Sequence, residues 1–161
     1  MKTVHEVLAH KDNRIRSVHP EDSVYDAIRG MADHEVGALL VMVDADLVGI
    51  ISERDYTRKV VLKDRSSKTT KVSEIMSHKI AQVGPEAGIE KCMGIMGKRR
   101  IRHLPVLEKG KVLGVISSTD LLLLTVSEKD HMTTSASAAI DRGAFDPDDV
   151  IAQLTLEEKC R

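Results

Sequence analysis

The sequence predicts an α/β (α+β) fold built from two copies of one β-α-β-β-α unit. Three observations carry this reading. The chain aligns with itself without a gap at an offset of 65 positions, the distance from Pro20 to Pro85, and repeats should be sought before any local reading. Each copy contains a helix-period apolar stripe followed by two apolar runs separated by a turn signal. Each copy then closes on the same pattern, Gly-x-Ile-Ser-x-x-Asp, at positions 49–55 and 114–120.

Each copy opens with a short strand (15–18; 80–83) stopped by Pro20 or Pro85. Val24, Ala27, Ile28 and Met31 fall at i, i+3, i+4 and i+7, one face of a helix, as do Ile89, Cys92, Met93 and Met96. Residues 38–43 are a continuous apolar run, the pattern of a strand covered on both faces. A turn at Asp44-Ala45-Asp46, or Glu108-Lys109-Gly110, leads to 47–51 or 112–116, a hairpin signal. A second helix is expected from Ser52 or Ser117. An earlier echo pairs Val4-His5-Glu6-Val7-Leu8 with Val72-Ser73-Glu74-Ile75-Met76 at an offset of 68, so the first copy carries three extra residues near His10 to Arg14. The expected organisation is a first unit at 3–62, a Lys/Ser/Thr-rich linker at 63–71, a second unit at 72–130 and an atypical tail at 131–161.

Composition narrows the function. With 42% hydrophobic, 30% charged and 2% aromatic residues, the 161-residue chain reads as a globular protein with an aliphatic core. A formal net charge of −1 gives no global field toward nucleic acid or membrane. No apolar run approaches the ~20 residues of a membrane span, and no targeting segment is visible at Met1-Lys2-Thr3. Two cysteines are no disulfide framework, so a reducing compartment and a cytoplasmic location are expected, a mature mitochondrial form being the other option.

The two Gly-x-Ile-Ser-x-x-Asp segments are the candidate site. Ser-x-x-Asp before a helix also reads as a capping box, in which the serine satisfies helix N–H groups and the acid suits the positive helix end. The functional reading uses the same geometry: free N–H groups at a helix start attract phosphate, and an acidic side chain accepts hydrogen bonds from ribose hydroxyls. Glycine permits close backbone approach. The two readings are compatible. Seven histidines are scattered without metal-ligand spacing, Cys92 reads as a packed small hydrophobe, and no activated nucleophile is discernible, so no enzyme activity, metal or required cofactor is expected.

The β-α-β-β-α repeat, the Val-x-Pro-Glu segments, Ile101-Arg102-His103-Leu104-Pro105-Val106 and both Gly-x-Ile-Ser-x-x-Asp segments resemble the CBS domain, over about residues 3 to 127. Ser52-Glu53-Arg54-Asp55-Tyr56 with Arg65-Ser66-Ser67-Lys68 resembles the stand-alone CBS-pair proteins of bacteria and plant mitochondria. The resemblance implies two units packed sheet to sheet about a pseudo-twofold axis, with two clefts that in relatives bind AMP, ADP, ATP, NAD-type nucleotides or S-adenosylmethionine, the last ranked below the others here. Carried over by position, Asp55 and Asp120 would bind ribose, and Ser52, Arg54, Ser117 and Thr119 would face ribose or phosphate. Gly49, Ile51, Gly114 and Ile116 complete the implied nucleotide-binding set, and Arg102 and His103 match phosphate-binding positions. Gly37 and Ala38 hold the equivalent places in the first copy, so the clefts are expected to be unequal. Lys98, Arg99 and Arg100 read equally well as a solvated helix end.

The implied function is a nucleotide-sensing regulatory module acting through a partner protein, for which the subgroup suggests the thioredoxin system. The alternative is a structural dimerisation module without ligand. A homodimer is expected, because Leu121-Leu122-Leu123-Leu124-Thr125-Val126 is apolar nearly all round. In the tail, 131–139 has a flexible composition and 145–159 faintly resembles the opening helix of family 3 glycoside hydrolases; a short helix is expected there, without catalytic function.

Overall fold

The apolar pattern resolves into six α-helices and five strands among the described residues of the computed structural model, which are residues 2–129. The expectations for the tail beyond 130 lie outside them. In chain order the elements are α1 (Val4–Ala9), β1 (Ser17–Val18), α2 (Val24–Asp33), β2 (Ala38–Val43), β3 (Asp46–Ser52), α3 (Glu53–Lys59), α4 (Val72–Ile75), α5 (Ile89–Arg99), β4 (His103–Glu108), β5 (Lys111–Ser117) and α6 (Ser118–Lys129). A single 3-10 turn, Val61–Lys63, follows α3.

The chain divides into two compact units. One comprises Arg14–Ala81 with Glu108–Leu113. Its sheet runs β1-β2-β3, with β1 parallel to β2 and β2 antiparallel to β3, in a register that places Leu39 opposite Ile51. The Asp44-Ala45 turn joins β2 and β3, with Asp44 at φ 53. Val24, Ala27 and Met31 of α2 pack with Leu39, Val41 and Ile51, and with Val72, Ile75 and Met76. The helix period on α2 thus buries one face, whereas β2 buries the consecutive residues Leu39, Leu40 and Val41, a strand covered on both faces as its apolar run predicts.

The described residues of the other unit are 2–13, 82–107 and 114–129. Strands β4 and β5 pair through a turn in which Lys109 and Gly110 both have positive φ. Ile89, Cys92, Met96, Leu104, Val106, Ile116 and Leu121 are buried. Burial pushes the Cys92 thiol up, which fits a packed, inert side chain.

The two opening helices are exchanged between the repeats. Val4 and His5 of α1 donate their N–H groups to Ala87 O and Pro85 O of the second repeat, at 2.9 Å each. Val72 and Ser73 of α4 make the equivalent bonds to Asp22 O and Pro20 O of the first repeat, again at 2.9 Å. Each helix therefore closes the core of the repeat it does not precede in sequence. The segment 63–71 between the repeats is pinned to the start of α2. Ser67 O and Thr70 O accept the N–H groups of Tyr25 and Val24 at the start of α2, and Thr70 is buried.

The opening strands are shorter than their sequence suggests. Only Ser17 and Val18 pair with β2, and in the second repeat only Val83 bridges, to Val106. Ile15 is 44% exposed, so the apolar residue that lengthened the expected strand lies off the sheet.

Candidate functional site

Both Ser-x-x-Asp segments fold as helix caps. Ser52 ends β3 in extended conformation and caps α3: its Oγ accepts the Asp55 N–H at 3.3 Å, and its own N–H donates to Asp55 Oδ2 at 3.0 Å. The Ser52 hydroxyl also donates to Asp55 Oδ2 at 2.8 Å. At the start of α6, the Ser117 N–H donates to Asp120 Oδ2 at 2.7 Å and Ser117 Oγ accepts the Asp120 N–H at 3.1 Å. These reciprocal bonds satisfy helix N–H groups that otherwise lack partners.

Each carboxylate also holds one ammonium. Asp55 Oδ1 lies 2.7 Å from Lys59 Nζ, one turn along the same helix. Asp120 Oδ2 lies 2.7 Å from Lys11 Nζ, which also donates to Val115 O at 2.9 Å. Lys11 belongs to the stretch in which the first copy carries its extra residues. Neither lysine stands out in the sequence as a site residue. Lys59 carries the i, i+4 signal of a helical ion pair, whereas nothing local to Lys11 announces a partner 109 positions away.

The remaining candidates divide between the two units. Gly49, Ile51, Ser52, Arg54 and Asp55 lie together in one, and Arg102, His103, Gly114, Ile116, Ser117, Thr119 and Asp120 in the other. Ile51 and Ile116 are fully buried, so their side chains serve the cores. The glycines admit the chain itself: a Cβ on Gly49 would stand 2.6 Å from Met76 Sδ, and one on Gly114 would stand 3.0 Å from Leu8 Cδ2. Arg54 is half-buried and Thr119 exposed.

The two junctions differ in the residue that meets the helix start. The Ser118 N–H donates to Arg102 O at 2.9 Å, and the equivalent Glu53 N–H donates to Gly37 O at 3.1 Å. The second repeat thus brings half-buried Arg102 and His103 to the N-terminal end of α6. The first has no side chain at Gly37 and a methyl group at Ala38. Lys98, Arg99 and Arg100 are exposed at the end of α5, where Arg100 closes the helix in the left-handed conformation at φ 54.

Among the described residues no group of three His, Cys, Asp or Glu side chains could hold a metal ion, and no helix is long and apolar enough to cross a membrane. Each junction offers a carboxylate that accepts from hydroxyl donors, a serine hydroxyl and a neighbouring ammonium. The first carries Arg54 within its cap, and the second has Arg102 and His103 where the chain meets the start of α6.

Comparison with known proteins gives the family. Residues 5–62 and 72–127 match the CBS domain. The chain is 40% identical over 128 residues to the mitochondrial CBS domain-containing protein CBSX3 of Arabidopsis thaliana, covering 76% of this chain and 62% of that protein's length. A solved protein with CBS domains from Burkholderia ambifaria MC40-6 superposes with a TM-score of 0.79 at 45% identity, covering 83% of this chain and all of that one. A hexameric CBS-CP12 protein from bloom-forming cyanobacteria gives a TM-score of 0.68 at 25% identity, covering 98% of this chain and 99% of that one. With two matched repeats spanning most of its length, this chain belongs to the CBS domain family and carries a tandem CBS pair.

Proposed function

We propose that the protein is a regulatory module that binds an adenosine nucleotide at the Ser117–Asp120 junction and acts through a partner protein rather than by catalysis. The observation that carries this reading is the backbone bond from the Ser118 N–H to Arg102 O, which sets the chain at Arg102 and His103 beside the Ser117–Asp120 helix start. A ribose diol donates to the carboxylate, and the guanidinium and imidazole suit phosphate. Ser52, Arg54 and Asp55 form the weaker of two unequal sites. Ile51, Ile116, Gly49 and Gly114 act by positioning the strand ends rather than by side-chain contact. The ligand is AMP, ADP, ATP or an NAD-type nucleotide, ahead of S-adenosylmethionine, and no further cofactor is required.

A ligand would shift the protein between two arrangements only as far as its affinity for them differs. The regulated partner belongs, by resemblance to the plant mitochondrial subgroup, to the thioredoxin system. The location proposed is the cytoplasm, with the mitochondrion of the plant relative as the other candidate.

One observation favours a second reading, a structural module without ligand: both Ser/Asp pairs are fully accounted for as caps. Calorimetric titration with AMP, ADP, ATP, NADH and S-adenosylmethionine decides between them. The nucleotide reading expects heat for at least one adenosine nucleotide and no turnover of it; silence across the panel at millimolar concentration leaves the structural module.

Self-association is part of both readings. Leu123 on α6 is 48% exposed, an apolar side chain on a face expected to pair with a second copy, and a twofold dimer is the commonest closed arrangement. The hexameric CBS-CP12 relative makes a larger assembly the alternative. Light scattering separates them, and a mass near the 17.8 kDa of one chain would refute association.

A further inference from the structure

We propose, on the reading that the Ser117–Asp120 junction binds an adenosine nucleotide, that Lys11 makes this site select phosphorylated ligands over the bare nucleoside. The argument starts from how the two repeats differ beside their glycines. After α4 the chain runs directly onto β3, where Ser77 and Ile50 exchange N–H···O bonds of 2.9 and 3.1 Å. In the other unit the residue equivalent to Ile50 is Val115. Its carbonyl accepts the Lys11 ammonium at 2.9 Å, so a side-chain cation takes the acceptor that elsewhere takes a backbone N–H.

The segment after α1 is braced in place. Asn13 Nδ2 donates to Leu8 O at 2.6 Å, and the bare backbone of Gly114 admits both Leu8 and Asn13. From there Lys11 reaches Asp120 Oδ2 at 2.7 Å, with side-chain exposures of 28% and 22% for the two partners. The second repeat has no lysine of its own for this carboxylate, because Leu124 stands where the first repeat has Lys59. The ammonium is imported by the longer connection of the first copy.

A ligand whose ribose hydroxyls take Asp120 must share or displace this cation. Hydroxyls are neutral donors and do not replace the charge that the carboxylate gives up. A nucleoside therefore leaves a partly desolvated ammonium without its anion. A nucleotide carries its own anion, and the flexible lysine stem lets the ammonium move from carboxylate to phosphate. Lys11 thus penalises adenosine and spares AMP.

The test is calorimetric titration of AMP and adenosine into the full chain and its Lys11→Met, Lys11→Gln and Lys11→Arg variants. Lys11→Gln keeps a donor for Val115 O and so guards against a variant that merely unseats the loop. The expected result is that the preference for AMP over adenosine falls about tenfold in Lys11→Met and Lys11→Gln, with adenosine bound no more weakly, while Lys11→Arg keeps it. An unchanged AMP preference in Lys11→Gln, with both ligands still bound, overturns the role of Lys11 alone. Failure of the wild type to bind AMP overturns this inference, and silence across ADP, ATP and NADH as well overturns the nucleotide reading with it.

Discussion

In the first repeat, Asp55 caps α3 and pairs with Lys59 on the same helix; in the second, Asp120 caps α6 in the same way but draws its ammonium from Lys11, 109 positions away. The caps are the same because the fold needs them: a strand that turns into a helix must satisfy the first N–H groups wherever it occurs. The charge partners differ because the fold does not dictate them. The Asp55–Lys59 pair is an i, i+4 contact, of a kind worth only ~0.3–0.5 kcal/mol on a helix surface, whereas Lys11 reaches Asp120 from another part of the chain and also bonds Val115 O. The comparison separates what the duplicated unit needs in order to fold, Ser, Asp, Gly and Ile, from what can give each junction a ligand preference: Lys11, Arg102 and His103 in one, Lys59, Gly37 and Ala38 in the other.

The largest effect that would break the comparison lies at the glycines. Gly49→Ala drives a methyl group into Met76 Sδ and is expected to cost ~1–3 kcal/mol, as overpacking of a close-packed contact does. Gly114→Ala meets the end of the Leu8 side chain at 3.0 Å, which can give way, so a smaller loss is expected. Urea unfolding midpoints of the two variants measure the difference. A larger loss at Gly114 would show that the α1 contact, not the α4 contact, is the tighter closure.

A smaller effect sharpens the comparison through pH. Glu21 pairs with Lys71, whose hydrogen bond and positive charge hold its carboxyl below the usual 4.5. At the equivalent places the second repeat has Glu86 and Thr3, which lack the cation. A depressed carboxyl contributes stability that is present above its unfolded value and lost as pH falls through the folded one. The wild type should therefore lose stability below about pH 4.5 more steeply than Glu21→Gln. Thermal melts between pH 6 and 3 read the difference.

Much of this was legible in the sequence. The 65-residue repeat, the helix faces of Met31 and Met96, the hairpin turns at Asp44 and Gly110 and both caps follow from local patterns, and the fold realises each of them. The exchange of α1 and α4 was not legible, because Val4-Val7-Leu8 and Val72-Ile75-Met76 present the same apolar stripe and either could close either core. Lys11 was hidden for a related reason. The change of offset marks an insertion near it, but a side chain whose partner lies across the unit leaves no periodicity to read. The composition of 63–71 marks it as a linker but does not reveal that its backbone carbonyls at Ser67 and Thr70 anchor α2. Polar composition records the solvent side of a segment, not the hydrogen bonds its backbone makes.

The central claim is that the two junctions, alike as caps, are unequal as nucleotide sites. Calorimetric titration of AMP into wild type, Asp120→Ala and Asp55→Ala tests it most directly. Removing an acceptor of hydrogen bonds in a charged site costs ~1.5–3 kcal/mol, so Asp120→Ala should weaken binding roughly tenfold to a hundredfold and Asp55→Ala distinctly less. Equal losses from the two variants, or a larger one from Asp55→Ala, would contradict the account.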